Sequence, residues 1–169
     1  NNITVLVRGR TVDKYQGGMW VNQYSQNPIW CMYDLLMSSR YGLGRYMDSS
    51  HVDQALLLEM ATYCNAQVDT DGDGTTENRF QINMVIDSQQ RALDLLSAMG
   101  ATCRAMMVWS QGTIRFIIDK EATASQMFTM GNIIRGSFIE SWTSLRETDN
   151  VIEIQYMDAA NDYTRETVQ

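Results

Sequence analysis

The chain has 169 residues, of which 44% are hydrophobic and 20% charged, and it carries a net charge of −7. That length suits one domain, or two small lobes sharing a core, and folding can bury roughly 70% of the unfolded surface without a metal or disulfide. The acidic balance excludes a nucleic-acid or anionic-membrane partner, because phosphates repel a negative surface, and no apolar run approaches the roughly 18 residues of a membrane helix.

The chain opens Asn-Asn-Ile-Thr-Val rather than on methionine, and is expected to be a piece of a longer protein. Ile3–Arg8 reads as a strand, with Ile3, Val5 and Val7 alternating with Thr4, Leu6 and Arg8. Thr11–Gln26 reads as an irregular loop with a short extended piece around Met19–Val21.

Asn27 to Arg45, NPIWCMYDLLMSSRYGLGR, is the stretch around which the rest is organised. Asn27 suits a helix cap and Pro28 the first helical position, where a missing N–H costs nothing. Ile29, Met32, Tyr33, Leu36 and Met37 recur at helical spacing. Gly42 and Gly44 end the helix. So short a helix is unstable alone and must dock on something.

Ser50, with Asp53 three residues later, imitates a capping box for a second helix running to about Ala66. Its stripe is Val52, Leu56, Met60 and Tyr63, widened by Ala55, Leu57 and Cys64. Asp69–Asn78 is a polar turn. Phe80, Ile82, Met84 and Ile86 predict a half-buried strand. Asp87 or Ser88 caps a third helix facing inward through Ala92, Leu95, Leu96 and Met99 and ended by Gly100. Cys103–Trp109 and Thr113–Ile118 read as a hairpin about Ser110-Gln111-Gly112. Phe138–Trp142 and Val151–Met157 read as two further strands, and Asn161–Gln169 as a fraying end. The fold class is α+β: small mixed, mainly antiparallel sheets with three helices, in the order β-α-α-β-α-β-β-β-β. Should the strands flanking the third helix be parallel neighbours, their crossover is right-handed. The chain is read as one unit over 1–169, with possible sub-lobes 1–48 and 49–169.

Few residues suggest chemistry. Asp69, Asp71, Asp73 and Gly74 match the first half of a calcium loop, but Phe80 stands where the bidentate Glu belongs. A solvated acidic turn is the simpler reading, with a weak calcium site as the alternative. His51 is the only histidine, and no Gly-x-Ser-x-Gly elbow accompanies it. Carboxylates are plentiful, among them Asp13, Asp34, Glu59, Asp94, Glu121, Glu140, Glu147, Asp149, Glu153 and Asp158. None pairs with another on a segment that reads as a cleft wall, as glycoside hydrolysis requires. Gly42-x-Gly44 and Gly72-x-Gly74 lack the context of phosphate loops. Cys31, Cys64 and Cys103 read as small buried thiols, suited to folding in a reducing cytosol. Trp20, Trp30, Trp109 and Trp142 read as core or subunit contacts, and an exposed Trp109 at a hairpin tip suggests an interface anchor. Met106 and Met107 point to opposite faces of their strand, so either both faces are covered or one meets a neighbouring subunit. No catalytic, cofactor-binding or metal-binding residue is expected.

NPIWCMYDLLMSSRYGLG resembles a segment of the tip attachment protein J family, the host specificity or tail hub proteins of long-tailed phages and prophages. VLVRGR, MATYCNAQV, RFQINMVIDSQQRALDLLSAM, RAMMVWSQGTIRFIIDK and GNIIRGSFIESWTSLRETDNVIEIQYMD resemble that family in the same order, so the likeness covers nearly the whole chain. The resemblance implies a structural module of a tail tip, folded in the bacterial cytoplasm and similar to the hubs of contractile baseplates. It implies a homotrimer in the full-length protein, other tail tip and tube proteins as partners, and no cofactor. A carbohydrate- or receptor-binding module of the same particle is the alternative, and a glycan-degrading enzyme a more remote one. Titration calorimetry with Ca²⁺ is expected to show no binding tighter than millimolar; micromolar heats would establish the calcium loop instead.

Overall fold

The computed structural model describes residues 5, 7–69, 72, 74–144, 146–158 and 161–168. Contacts divide the chain into two units, Arg8–Glu121 and the pairing of Asn1–Val7 with Ala122–Gln169.

The larger unit is built on helix α1 (Pro28–Met37), which buries Pro28, Ile29, Trp30, Met32, Tyr33, Leu35 and Leu36. A helix apolar nearly all round belongs at the centre of a core. Around it pack helix α2 (Gln54–Cys64), helix α3 (Ala92–Ala101) and the hairpin of β1 (Thr11–Gln16) and β2 (Met19–Tyr24). The hairpin β5 (Ala105–Ser110) and β6 (Thr113–Ile118) packs on α2 and α3. Its turn places Gln111 at φ 53° and Gly112 at φ 78°, the left-handed pair that suits strand twist. Phe116, Ile114 and Ile118 line its inner face, while Met106 and Ile117 face each other across the outer one.

The three helices and antiparallel pairing of the α+β expectation are present, with several boundaries moved. Thr11–Gln26 is a hairpin, not a loop: Tyr15 and Trp20 meet edge to face across it, and Trp20 stacks on Tyr33 at 4.9 Å. Val5, Val7 and Arg8 form no strand; Ile3, Thr4 and Leu6 of that reading lie outside the described residues. α2 begins after Asp53, whose carboxylate accepts from Leu56 N at 3.1 Å. Val52 is held outside the helix by a bridge to Ile114, so the buried stripe becomes Leu57, Met60, Ala61 and Cys64, and Ala55 is exposed. Asp48 caps the preceding 3-10 turn (Ser49–His51).

Phe80–Ile86 forms no ladder. Two backbone bonds tie it down, Phe80 N–H donating to Cys64 O at 3.1 Å and Ile82 N–H to Gln26 O at 2.8 Å, and the chain beyond Ile82 is exposed. Without that strand there is no crossover. The short strands β3 (Gln67–Val68) and β4 (Glu77–Asn78) instead pair across the acidic turn. α3 starts later than expected, after Arg91, and passes through Gly100, where a Cβ would collide with Ala105 O. Glycine is needed there for close approach to β5, not as a helix stop.

In the smaller unit, β7 (Ile154–Asp158) pairs with β8 (Thr164–Val168), so Thr164–Val168 does not fray, and Gln169 of that reading lies outside the described residues. Phe138–Trp142 is not a strand. Among the described residues every buried hydrophobic lies between Val12 and Ile118.

Asn27 is the buried polar joint of the larger unit. Its Oδ1 accepts from Ile29 N at 3.0 Å, and its Nδ2 donates to Ala61 O and Asn65 Oδ1, each at 2.8 Å. It caps α1 and clamps that cap to the end of α2. Asn27→Ala removes the cap and both amide donations, leaving Ala61 O only its bond from Asn65 N, with an expected loss of about 2–4 kcal/mol, read from the urea midpoint. Asn27→Asp retains the acceptor but loses both donors, and is expected to be no better.

Candidate interaction surface

The NPIW…RYGLG segment is a brace built from its own residues. After α1 the chain folds back: Leu43 N donates to Leu35 O, and Gly42 N and Gly44 N both donate to Ser38 O, each at 3.1 Å. Side chains at Gly42 or Gly44 would collide with the carbonyl oxygens of Leu35 and Met37, so the two glycines are required by contact. The Tyr41 hydroxyl donates to Asp34 Oδ2, and the Arg10 guanidinium lies 4.2 Å over the Tyr41 ring and 4.0 Å from that carboxylate. Burial, then the bond to Asp34, pushes the Tyr41 hydroxyl above its ordinary value of 10.0. Arg45 Nε donates to Ser39 O. These polar side chains serve the turn rather than a ligand.

The other polar candidates are likewise engaged. His51 Nδ1 lies 3.0 Å from Asp48 Oδ1 within the cap of its own turn. Asp69 accepts from Gly72 N at 2.7 Å and Gly74 N at 3.1 Å, which closes the acidic turn; Asp71 and Asp73 lie outside the described residues. Among the described residues no cluster of metal-ligating side chains occurs. Asp13 accepts from Asn22, Asp53 pairs with Arg115 and Glu59 with Lys120. Asp94, Glu121, Glu140, Glu147, Asp149 and Glu153 are exposed, separate positions.

Two hollows mark the larger unit. One, of about 60 Å³, lies between Trp20, Tyr33, Ser49, Val52, Gln54 and Leu57. The other, about 440 Å³ and wide open, is lined by Tyr24 and Trp30 with Gln26, Asn27, Asn65 and Asn78 among others. Its amides bond within the protein: Asn27 to Asn65, Gln67 to Asn78 and Gln26 to Asn83. The hollow is a seam between elements.

What the structure leaves unpaired is apolar. On the β5–β6 hairpin, Met106 is 62% and Trp109 58% exposed, whereas Met107 packs on the core. In the smaller unit, Met127, Phe128, Met130, Ile134, Phe138 and Ile139 are all more than 60% exposed, and Trp142 reaches 86%. Single exposed hydrophobics are ordinary; a run of this density with no core of its own marks an interaction surface. Of this set Trp109, Trp142 and Met106 were legible as possible contacts in the sequence. Met127, Phe128 and Met130 follow a polar stretch without strand or helix periodicity, and their apolar density was the one available signal.

A family model described as "Putative phage tail protein" matches residues 91–169. The tip attachment protein J of Escherichia phage SECphi27 is 31% identical over 149 residues, covering 88% of this chain and 12% of that protein. The tip attachment protein J of Escherichia phage SECphi4 is 29% identical over 147 residues, covering 86% of this chain and 13% of that protein. The chain thus spans about one-eighth of the length of these relatives.

Tyr41→Phe is expected to cost about 1 kcal/mol at neutral pH by deleting the bond to Asp34. Because the folded state holds Tyr41 protonated above its ordinary value, its contribution is complete below pH 10 and is lost as pH rises beyond. Urea titrations from neutral to alkaline pH should therefore show wild type and Tyr41→Phe converging.

Proposed function

We propose, from the premise that this chain belongs to the tip attachment protein J family, that it is a structural segment of a phage tail tip acting in tail assembly and host attachment. The observation that carries this reading is the apolar run from Met127 to Trp142, exposed where a folded domain would bury it. Side chains such as Phe138, Ile139 and Trp142 cannot face water in quantity without driving association. In the full-length protein they are covered by further chain and by identical copies arranged as a homotrimer. The hub-like assembly closes the end of the tail, with other tail tip and tube proteins as neighbours.

In this reading the chain transforms no substrate and holds no cofactor or metal. Its charges support that assignment, because Asp34, Asp48, Asp53, Asp69 and Glu59 are committed to turns, caps and ion pairs. A carbohydrate-binding module of the same particle needs an aromatic-lined groove with free polar groups. The hollow beside Tyr24 and Trp30 has the aromatics, but its amides are spent on one another. The proposed domain organisation is one unit over 1–169, with sub-lobes 1–48 and 49–169.

Light scattering of the full-length protein beside this segment tests the proposal. A three-fold mass for the long chain is expected, abolished or weakened by the paired change Ile139→Asp and Trp142→Asp. A strict monomer at high concentration would refute the trimer.

A further inference from the structure

Three cations converge on two aromatic rings beside the C-terminal end of α2. The rings of Tyr63, on α2, and Phe80, just past β4, have their centroids 6.3 Å apart. The Arg79 guanidinium stands 4.6 Å from the Tyr63 centroid, and Lys120 Nζ stands 5.2 Å from the same centroid. The Arg104 guanidinium stands 5.6 Å from the Phe80 centroid. Backbone bonds fix the segments that carry them. Arg79 N donates to Ala66 O at 2.9 Å, Phe80 N to Cys64 O at 3.1 Å and Asp119 N to Arg104 O at 3.0 Å.

One carboxylate serves these three charges. Glu59, one turn before Tyr63 on α2, meets Lys120 Nζ at 2.7 Å. Arg79 and Arg104 meet no carboxylate among the described residues. Each rests on a ring instead, a contact that stabilises a cation without neutralising it. Arg79 Nε is buried with no hydrogen-bond partner among the described residues, so the Tyr63 ring, not a polar bond, holds its fork. Arg104 is unusual in its backbone as well. Its φ is 55°, in the left-handed region that glycine enters at less cost. An arginine kept in such a conformation points to a task for its side chain.

The geometry points to a docking site for an acidic peptide segment of a partner protein, with its carboxylates on Arg79 and Arg104 and an aliphatic side chain on Tyr63 and Phe80. Guanidinium forks take carboxylates bidentately. The half-buried rings between the two forks give the peptide an apolar floor. The net charge of −7 selects for a short segment. A long polyanion gains at the cluster but is repelled by the rest of the surface, whereas a few carboxylates feel mainly the cations within a screening length of about 8 Å. The inference rests on this cluster and goes beyond the tail-tip reading, on which the segment belongs to a neighbouring tail protein.

The test is two-dimensional NMR of the isotope-labelled chain, titrated with the amidated peptide acetyl-Glu-Leu-Glu-Leu-Glu. The Arg79 Nε–H and Arg104 backbone N–H signals are expected to shift, to saturate at millimolar peptide and to respond less as salt rises from about 0.05 to about 0.5 M. The same peptide with glutamine for glutamate should shift neither signal. Arg79→Gln and Arg104→Gly are each expected to weaken binding about tenfold, and Arg91→Gln, at the other end of α3, to leave it unchanged. Glycine and asparagine adopt a positive φ readily. Arg104→Gly and Arg104→Asn should therefore keep the melting temperature within about 3 °C, which separates loss of binding from loss of fold. Binding that is absent at millimolar peptide, untouched by these variants, or matched by the glutamine peptide or by inorganic phosphate would overturn the proposal. A full-length protein that stays monomeric leaves it standing, so the two readings fail separately.

Discussion

Asn27 holds two helices at one point, and the larger unit depends on that joint. A helix of ten residues is marginal in water, and α1 has no acid in its first turn and no base in its last to help it. Its stability comes from what surrounds it. Asn27 caps one end and binds α2, while the Gly42–Gly44 return covers the other. Trp20 joins it from the side, stacked on Tyr33 and edge-on to Trp30 at 5.8 Å. Each contact needs a specific side chain at a specific place, which explains why the segment from Asn27 to Arg45 is so distinctive as sequence.

The sheets show the same dependence on support. Among the described residues all are two-stranded hairpins, and an isolated hairpin is marginal in water. β1–β2 rests on α1, and β5–β6 rests on α2 and α3. β7–β8 has no such bed: Ile154, Tyr156 and Met157 are about half exposed or more. The relatives are roughly eight times longer than the matched segment. Among the described residues, this hairpin and the apolar run have no buried core of their own.

Polar groups in this molecule are mostly structural. His51 and Asp48 close one turn, Asp69 closes another, and Asp53 caps α2 while meeting Arg115 at 3.3 Å. The groups whose titration is displaced are tyrosines and cysteines, moved chiefly by burial or by a neighbouring side chain, and Asp48, held low by hydrogen bonds from Ser50 and His51.

Local chemistry was readable in advance wherever a residue acts on its near neighbours. Asn27 and Pro28 announced α1, the spacing of Leu95, Leu96 and Met99 announced α3, and Gln111-Gly112 announced the β5–β6 turn. Tertiary contact decided the rest. Alternation in Phe80–Ile86 suggested a strand, but an extended segment becomes one only when one partner strand offers its backbone in register, and here Cys64 O and Gln26 O, from separate segments, reach Phe80 and Ile82 singly. Val52 has a helical neighbour on one side, yet Ile114 holds it outside α2. Thr11–Gln26 read as a loop because its pairing is stabilised by Trp20 against α1, a contact between elements that periodicity cannot report.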